Sequence, residues 1–284
     1  MGFWKWVNGL SNRIRTSIGF SIAAVGFIST VMSIAGVSLN DWTNRVDLSI
    51  LIIFVALMLF AFAAYLIIGK LFRDSVSMNI QNNPVSIECG DIFATDGWKV
   101  IGCDTHFDTR VDDIVISKTS LHGKLILEHG DTDEIKAAVK KAALRLNLPA
   151  NDDGLYDFPL GTIVRYDSSK DNETYLMLAM TKLDQNYEAH TTMAEFEHML
   201  MKMWSEIGRV YASHDIVLPL LGSGISRFDG TPKSKEALLK CMLCTLNASG
   251  EEFNAKMKIV IFGDAKDIPL YEYRDMFRQI NKRK

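Results

Sequence analysis

The common signatures of phosphate and metal chemistry are missing. There is no GxxxxGK[ST], no GxGxxG and no GxSxG, and the six histidines are scattered without an HExxH. These absences take P-loop enzymes, the dinucleotide-binding fingerprint, the nucleophile elbow and the common zinc peptidases out of consideration. Cysteine is scarce as well: Cys89, Cys103, Cys241 and Cys244 are too few and too scattered for a disulfide framework, and they suit a reducing compartment. Cys241 and Cys244 form one CxxC with no second pair, inside the helical pattern KSKEALLKCMLCTLNAS. Packing at i,i+3 accounts for them, and both are expected in the core. A surplus of positive charge is also lacking. The formal net charge of −3 sets up no basic field, so no nucleic-acid partner is expected and any phosphate recognition has to be local. The composition is that of a folded chain, and 284 residues leave room for one or two domains.

Two long apolar runs stand out. IGFSIAAVGFISTVMSIAGV (18–37) and LSILIIFVALMLFAFAAYLII (48–68) carry no charge, and at about 1.5 Å per residue each is long enough to cross roughly 30 Å of hydrocarbon. The first has no small-residue cleavage site and the second follows at once, which reads as a retained hairpin and not a signal peptide. Lys5, Arg13 and Arg15 precede the first run and Lys70 and Arg73 follow the second, while the connecting SLNDWTNRVD holds one arginine and two aspartates. Positive charge on both flanks places both termini in the cytoplasm. The expected organisation is therefore a two-helix transmembrane anchor over 1–76 and a cytosolic domain over 77–284. The small residues Gly19, Ala23, Gly26, Ser29, Thr30 and Ser33 fit packing within the hairpin and association between protomers equally well. No ionisable residue lies inside either run, which argues against a transporter or proton relay.

From about residue 84 short apolar runs alternate with helical periods. PVSIECGDIF and WKVIGCD read as strands, and KLILEHG as a short apolar segment. DTDEIKAAVKKAALRLN has the acidic start and basic end of a helix, and TIVRYD with TYLMLAMT forms a hairpin pattern. A long amphipathic stretch follows in MAEFEHMLMKMWSEIGRVYAS, whose Met and aromatic spacing is that of a core face. DIVLPLLG, PKSKEALLKCMLCTLNA, KMKIVIFGD and LYEYRDMFRQINK then read strand, helix, strand, helix. This is α/β order, in which ligands sit at the carboxyl ends of strands where loops meet helix N-termini. Gly222 and Gly224 in VLPLLGSGISRFDG fall at that edge, where main-chain N–H groups form an anion nest. On spacing alone a tight structural turn explains GSG equally well. Asp112 and Asp113 resemble a paired acid and base, but adjacent side chains point apart, so no catalytic pair is read there.

The order IECGDIFATDGWKVIG, DFPLGTIVRYDSSKDNETYLMLAMTK, long helix, DIVLPLLGSGIS, MKIVIFGD resembles the macro domain, the ADP-ribose-binding module with a three-layer α/β/α build and a mixed sheet. The likeness covers nearly all of 84–284. With CDTHFDT and the two membrane runs in front, the chain is similar to the transmembrane macro-domain effectors of Thoeris anti-phage defence. The resemblance implies a multi-pass protein of the bacterial inner (cell) membrane that senses an ADP-ribose derivative, in this class histidine joined to ADP-ribose. The signal is made by a partner TIR-domain enzyme that consumes NAD. It further implies self-association and disruption of the membrane, with no catalytic residue, cofactor or metal of its own.

Carried across by residue, Asp91 accepts the adenine amino group with the Ile92 backbone beside it, and Gly222, Ser223, Gly224, Ile225 and Ser226 wrap the diphosphate. Arg227 adds a charge-assisted contact or else a surface ion pair. Two departures bear on activity. The asparagine-rich stretch of many macro domains is replaced by CDTHFDTRVDD, so the asparagine associated with ADP-ribosyl hydrolysis is missing. An aromatic expected after the second loop glycine is displaced to Phe228. Asp104, Thr105, His106, Phe107 and Asp108 become candidates for reading the non-nucleotide part of the ligand. His106, a single histidine near acids, is placed near the pocket and not in catalysis. The rival readings are a membrane-tethered ADP-ribosyl hydrolase and a membrane-bound scaffold with a degenerate pocket.

Overall fold

Residues of opposite parity on the central strands go to opposite sides. Val100 packs into one apolar cluster while Ile101 and Cys103 pack into another; Leu176 and Leu178 join the first, and Tyr175, Met177 and Ala179 the second. A strand that is apolar on both faces has to be covered on both. The computed structural model describes residues 75–184, 188–224, 227–228, 232–263, 265, 268 and 270–282, and within them the two clusters are the two halves of an α/β/α sandwich.

The strands are β1 (Ser75–Ile80), β2 (Asn83–Cys89), β3 (Trp98–Asp104), β4 (Ile163–Asp167), β5 (Thr174–Leu183), β6 (Ala189–Thr191), β7 (Ile216–Pro219), β8 (Arg227–Phe228) and β9 (Met257–Ile261). The helices are α1 (Leu121–Lys124, running on as a π-turn over Leu125–His129), α2 (Thr132–Arg145), α3 (Met193–Val210), α4 (Lys235–Ser249) and α5 (Leu270–Lys282), with a 3-10 turn at Ile92–Ala94. The sheet runs β1-β2-β9-β7-β3-β5-β6-β8, with β4 also paired to β5. β2, β9, β7, β3 and β5 are parallel neighbours, whereas β1, β4 and β6 pair antiparallel. The sheet is therefore mixed, and its parallel centre sends five carboxyl ends to one edge.

Local signals set the helices. α2 starts at Asp131, whose side chain accepts the N–H groups of Asp133 and Glu134. α3 starts with a reciprocal Thr192–Glu195 capping box (3.1 and 2.8 Å), and α4 starts at Ser234 and ends at Gly250, which has φ +69. Phe196, Met199, Leu200, Met203, Trp204 and Ile207 of α3 are buried in the first cluster, as the Met and aromatic spacing requires. α2 covers the other face with Ile135, Val139, Ala142 and Ala143. At the amino end of β3, Lys99 is buried and its Nζ donates to Glu173 Oε2 at 2.8 Å.

Three expectations change. KLILEHG, read as an apolar segment, belongs to α1 and its π-turn. Cys241 is buried, and burial pushes its thiol up to about 11, but Cys244 is exposed, because only one of the two positions faces the sheet. The placement as a multi-pass protein of the bacterial inner membrane is corrected. Among the described residues no helix is long and apolar enough to cross a membrane; the longest of them, α3, alternates its apolar stripe with Glu195, Glu197, Lys202, Glu206 and Arg209. The stretches 18–37 and 48–68 lie outside the described residues.

Candidate functional site

The five parallel carboxyl ends open onto one cavity of about 910 Å³. Gly90 and Asp91 follow β2, Asp104 closes β3, Thr181 and Leu183 belong to the end of β5, Pro219 to Gly224 end and follow β7, and Phe262 follows β9; all of them line it. A wall between Asp113 and His122, together with Lys124, Lys235, Met180 and Glu188, adds to the lining. This is the edge where an open α/β sheet leaves room for a ligand.

Asp91 is an exposed N-cap: its Oδ1 accepts the Phe93 N–H at 3.0 Å, which fixes the side chain at the start of the 3-10 turn. Ile92 also lines the cavity, but its side chain is buried in the second apolar cluster. After β7 the chain makes a four-residue turn in which Ser223 N–H and Oγ both donate to Leu220 O (3.3 and 2.6 Å). Gly222 stands third in this turn with φ +79, and a Cβ there would lie 3.0 Å from Phe228 Cζ and 3.1 Å from Leu238 Cδ2. Glycine is required both for the backbone conformation and for the space. Gly222→Ala is expected to lower unfolding stability by about 1–3 kcal/mol, read from denaturant midpoints at constant m. Gly224 also lines the cavity, and a Cβ there would meet nothing within 4 Å. Ile225 and Ser226 lie outside the described residues; Arg227 is placed by its backbone in β8, paired with His190 of β6.

The stretch after β3 divides. Asp104 lines the cavity and is buried. Thr105, His106, Phe107 and Asp108 are not part of the lining, because this segment closes on itself. Asp104 Oδ1 accepts the His106 N–H at 2.7 Å, Asp104 Oδ2 accepts the Asp108 N–H at 3.2 Å, and Thr105 N–H donates to Thr181 O at 2.9 Å. Phe107 takes φ +50 and packs edge-on against Phe158 with ring centroids 5.0 Å apart. Asp108 is held by Arg110 at 2.5 Å. Burial raises its carboxyl, but the hydrogen bonds and charge of Arg110 outweigh that and leave it below the ordinary carboxylate range.

Several lining residues carry no motif. Asp112 Oδ1 accepts the Ile114 and Val115 N–H groups (2.9 and 2.8 Å), and Asp113 pairs with Lys118 at 3.0 Å. The two acids thus shape the 113–121 wall separately. That wall presents Ile114 to solvent at 68% exposure, and Phe262 across the cavity lining is 76% exposed, unusual for large apolar side chains. Lys124 Nζ lies 5.9 Å over the Phe262 ring, and Lys235 Nζ donates to Phe262 O at 3.3 Å. His122 is buried, with Nδ1 3.8 Å from Asp104 Oδ2. Burial holds its imidazole below the ordinary histidine range, against the carboxylates of Asp104 and Asp108. At the β5–β6 turn Asp184, Glu188 and His190 bring ligand atoms within 4.8 Å of one another; His190 is ion-paired to both acids at the surface (3.5 and 3.3 Å).

Residues 85–262 match the family described as Thoeris protein ThsA, Macro domain. The chain belongs to the ThsA macro-domain family. It is 30% identical to the Thoeris protein ThsA of Bacillus amyloliquefaciens (strain Y2) over 280 residues, 96% of this chain and 93% of that protein. The ThsA macro-domain match holds the whole cavity, since its lining begins at Gly90 and ends at Phe262. A solved macrodomain of Oceanobacillus iheyensis, with ADP, shares the fold. It aligns with TM-score 0.50 at 16% identity, over 73% of this chain and 97% of that one.

Proposed function

We propose that the cavity binds an ADP-ribose-type ligand and that the protein is a non-enzymatic sensor of Thoeris anti-phage defence. The observation that carries this is the meeting of Asp91, Phe262 and the Gly222–Gly224 turn in one cavity at the carboxyl ends of the parallel strands. The macrodomain of similar fold is one with ADP. A carboxylate is acceptor-only and suits the exocyclic amine of adenine, and an exposed aromatic ring beside it suits the purine face. The amides at Gly222 and Gly224 supply donors for a diphosphate, and Lys124 and Lys235 add positive charge to the same lining. The signal is an ADP-ribose derivative, histidine joined to ADP-ribose, supplied by a TIR-domain enzyme from NAD. Binding favours self-association to the extent that the ligand prefers the assembled state.

Calorimetry on the full chain tests this reading. ADP-ribose is expected to bind at micromolar or tighter affinity, and ADP more tightly than inosine diphosphate, which lacks the amine. Asp91→Ala is expected to weaken ADP about tenfold and to abolish the preference over inosine diphosphate. That second readout separates base recognition from the loss of the Phe93 cap. No detectable heat with millimolar ADP-ribose would sink the proposal. Sedimentation with and without ligand reads out self-association, with a larger species expected only with ligand.

A further inference from the structure

The polar lining of the cavity is uneven. The turn after β7 offers main-chain amides, and Lys124 and Lys235 offer ammonium groups, whereas the end of β3 offers acceptors. Asp104 is buried there, its Oδ1 on the His106 N–H and its Oδ2 facing His122 Nδ1 at 3.8 Å. His122 also lines the cavity and is buried, and its Nε2 has no hydrogen-bond partner among the described residues. Buried polar atoms are nearly always satisfied, so an orphan on a residue that lines a cavity is a candidate partner for a ligand.

We propose that His122, oriented by Asp104, is a specificity-determining residue of this cavity, selecting ligands whose group beyond the diphosphate donates a hydrogen bond to Nε2. The inference rests on the ADP-ribose reading and names what the far end of that ligand has to offer. Asp104 Oδ2 at 3.8 Å is too far from Nδ1 for a hydrogen bond, but its negative charge favours the tautomer that keeps the proton on that side of the ring. Nε2 is then a lone pair. The charged groups around the ring are Asp104 and Asp108, the latter already bound by Arg110, and burial keeps the imidazole neutral above a depressed titration. Nε2 is shielded in this structure, so the contact requires the ring to turn toward the cavity. Ribose hydroxyls and an N–H on a substituted ribose meet the requirement. A terminal phosphate or carboxylate, which only accepts, does not.

The test compares ADP-ribose with ADP by calorimetry on the full chain, from about pH 8 down to the lowest pH at which the fold persists. Wild type is expected to prefer ADP-ribose, and His122→Phe to reduce that preference about fivefold or more. His122→Gln, whose amide oxygen reaches the neighbourhood of Nε2, should retain most of it. Lowering the pH through the depressed titration of His122 puts a proton on Nε2 and turns the acceptor into a donor. The wild-type preference should therefore fall, while that of His122→Gln stays flat. An unchanged preference in His122→Phe, or equal binding of both probes by wild type, overturns the inference and leaves the ADP-ribose reading standing. Binding of neither probe removes both. Should His122→Phe not fold, His122→Leu, read in the same way, decides.

Discussion

Gly224→Glu is expected to weaken ADP-ribose binding by about 100-fold or more while the melting temperature stays within about 1 °C of wild type. A Cβ at Gly224 meets nothing within 4 Å, so the backbone tolerates a side chain without strain. The residue lines the cavity, so the carboxylate enters the space proposed for a diphosphate. Like charges brought together with partial loss of water cost several kcal/mol. Gly224→Ala supplies the control, adding a methyl group to open space, and is expected to bind close to wild type. Retention of ADP-ribose affinity within threefold in Gly224→Glu would show that the turn after β7 is not where the phosphates sit.

Glu173→Ala is expected to destabilise the fold by about 3 kcal/mol, and Lys99→Met by less than about 1 kcal/mol, although both break the same ion pair. The asymmetry follows from exposure. The Lys99 side chain is 1% exposed, whereas that of Glu173 is 42% exposed. Removing Glu173 leaves an ammonium group inside the sheet whose remaining partner among the described residues is Gly97 O at 3.3 Å. Removing the ammonium instead leaves a carboxylate that water reaches. Urea midpoints at constant m decide the order, and equal effects would mean that Nζ reaches solvent in the native state. The pair fixes β3 against the start of β5, the two strands whose far ends carry Asp104 and Thr181 to the cavity. Loss of Glu173 is therefore expected to weaken ligand binding only as far as it unfolds the protein.

Much of the architecture was legible because two-sided burial leaves a trace in parity and order. WKVIGCD occupies β3 over its whole length, and TIVRYD with TYLMLAMT forms the β4–β5 hairpin. Alternating strand and helix led to the edge of the sheet at which the cavity opens, and the same order brings the 91–92 and 222–224 segments onto its lining. The short pairings β6 and β8 left no such trace, since two or three residues carry too little pattern.

The polar run after β3 was harder. In sequence, Asp104 to Asp108 look equally available to a ligand, yet acids and hydroxyls serve the N–H groups of their own turn as readily as those of another molecule. Phe107 at φ +50 and the Arg110 clasp on Asp108 follow from the turn and not from residue type. The 113–121 wall and His122 were missed for the opposite reason. They carry no motif, and only the folding of α1 beside β3 brings them to the site.

Phe228 gives the turn after β7 a direction of travel. Its ring sits edge-on to Phe196 with centroids 5.4 Å apart, and its backbone is laced to Thr191 of β6, so it forms a fixed stop beneath Gly222. The peptide there has no depth into which to sink. At Gly224 a Cβ would meet nothing within 4 Å, so the same turn is packed hard at its inner end and free of such a stop at its outer one.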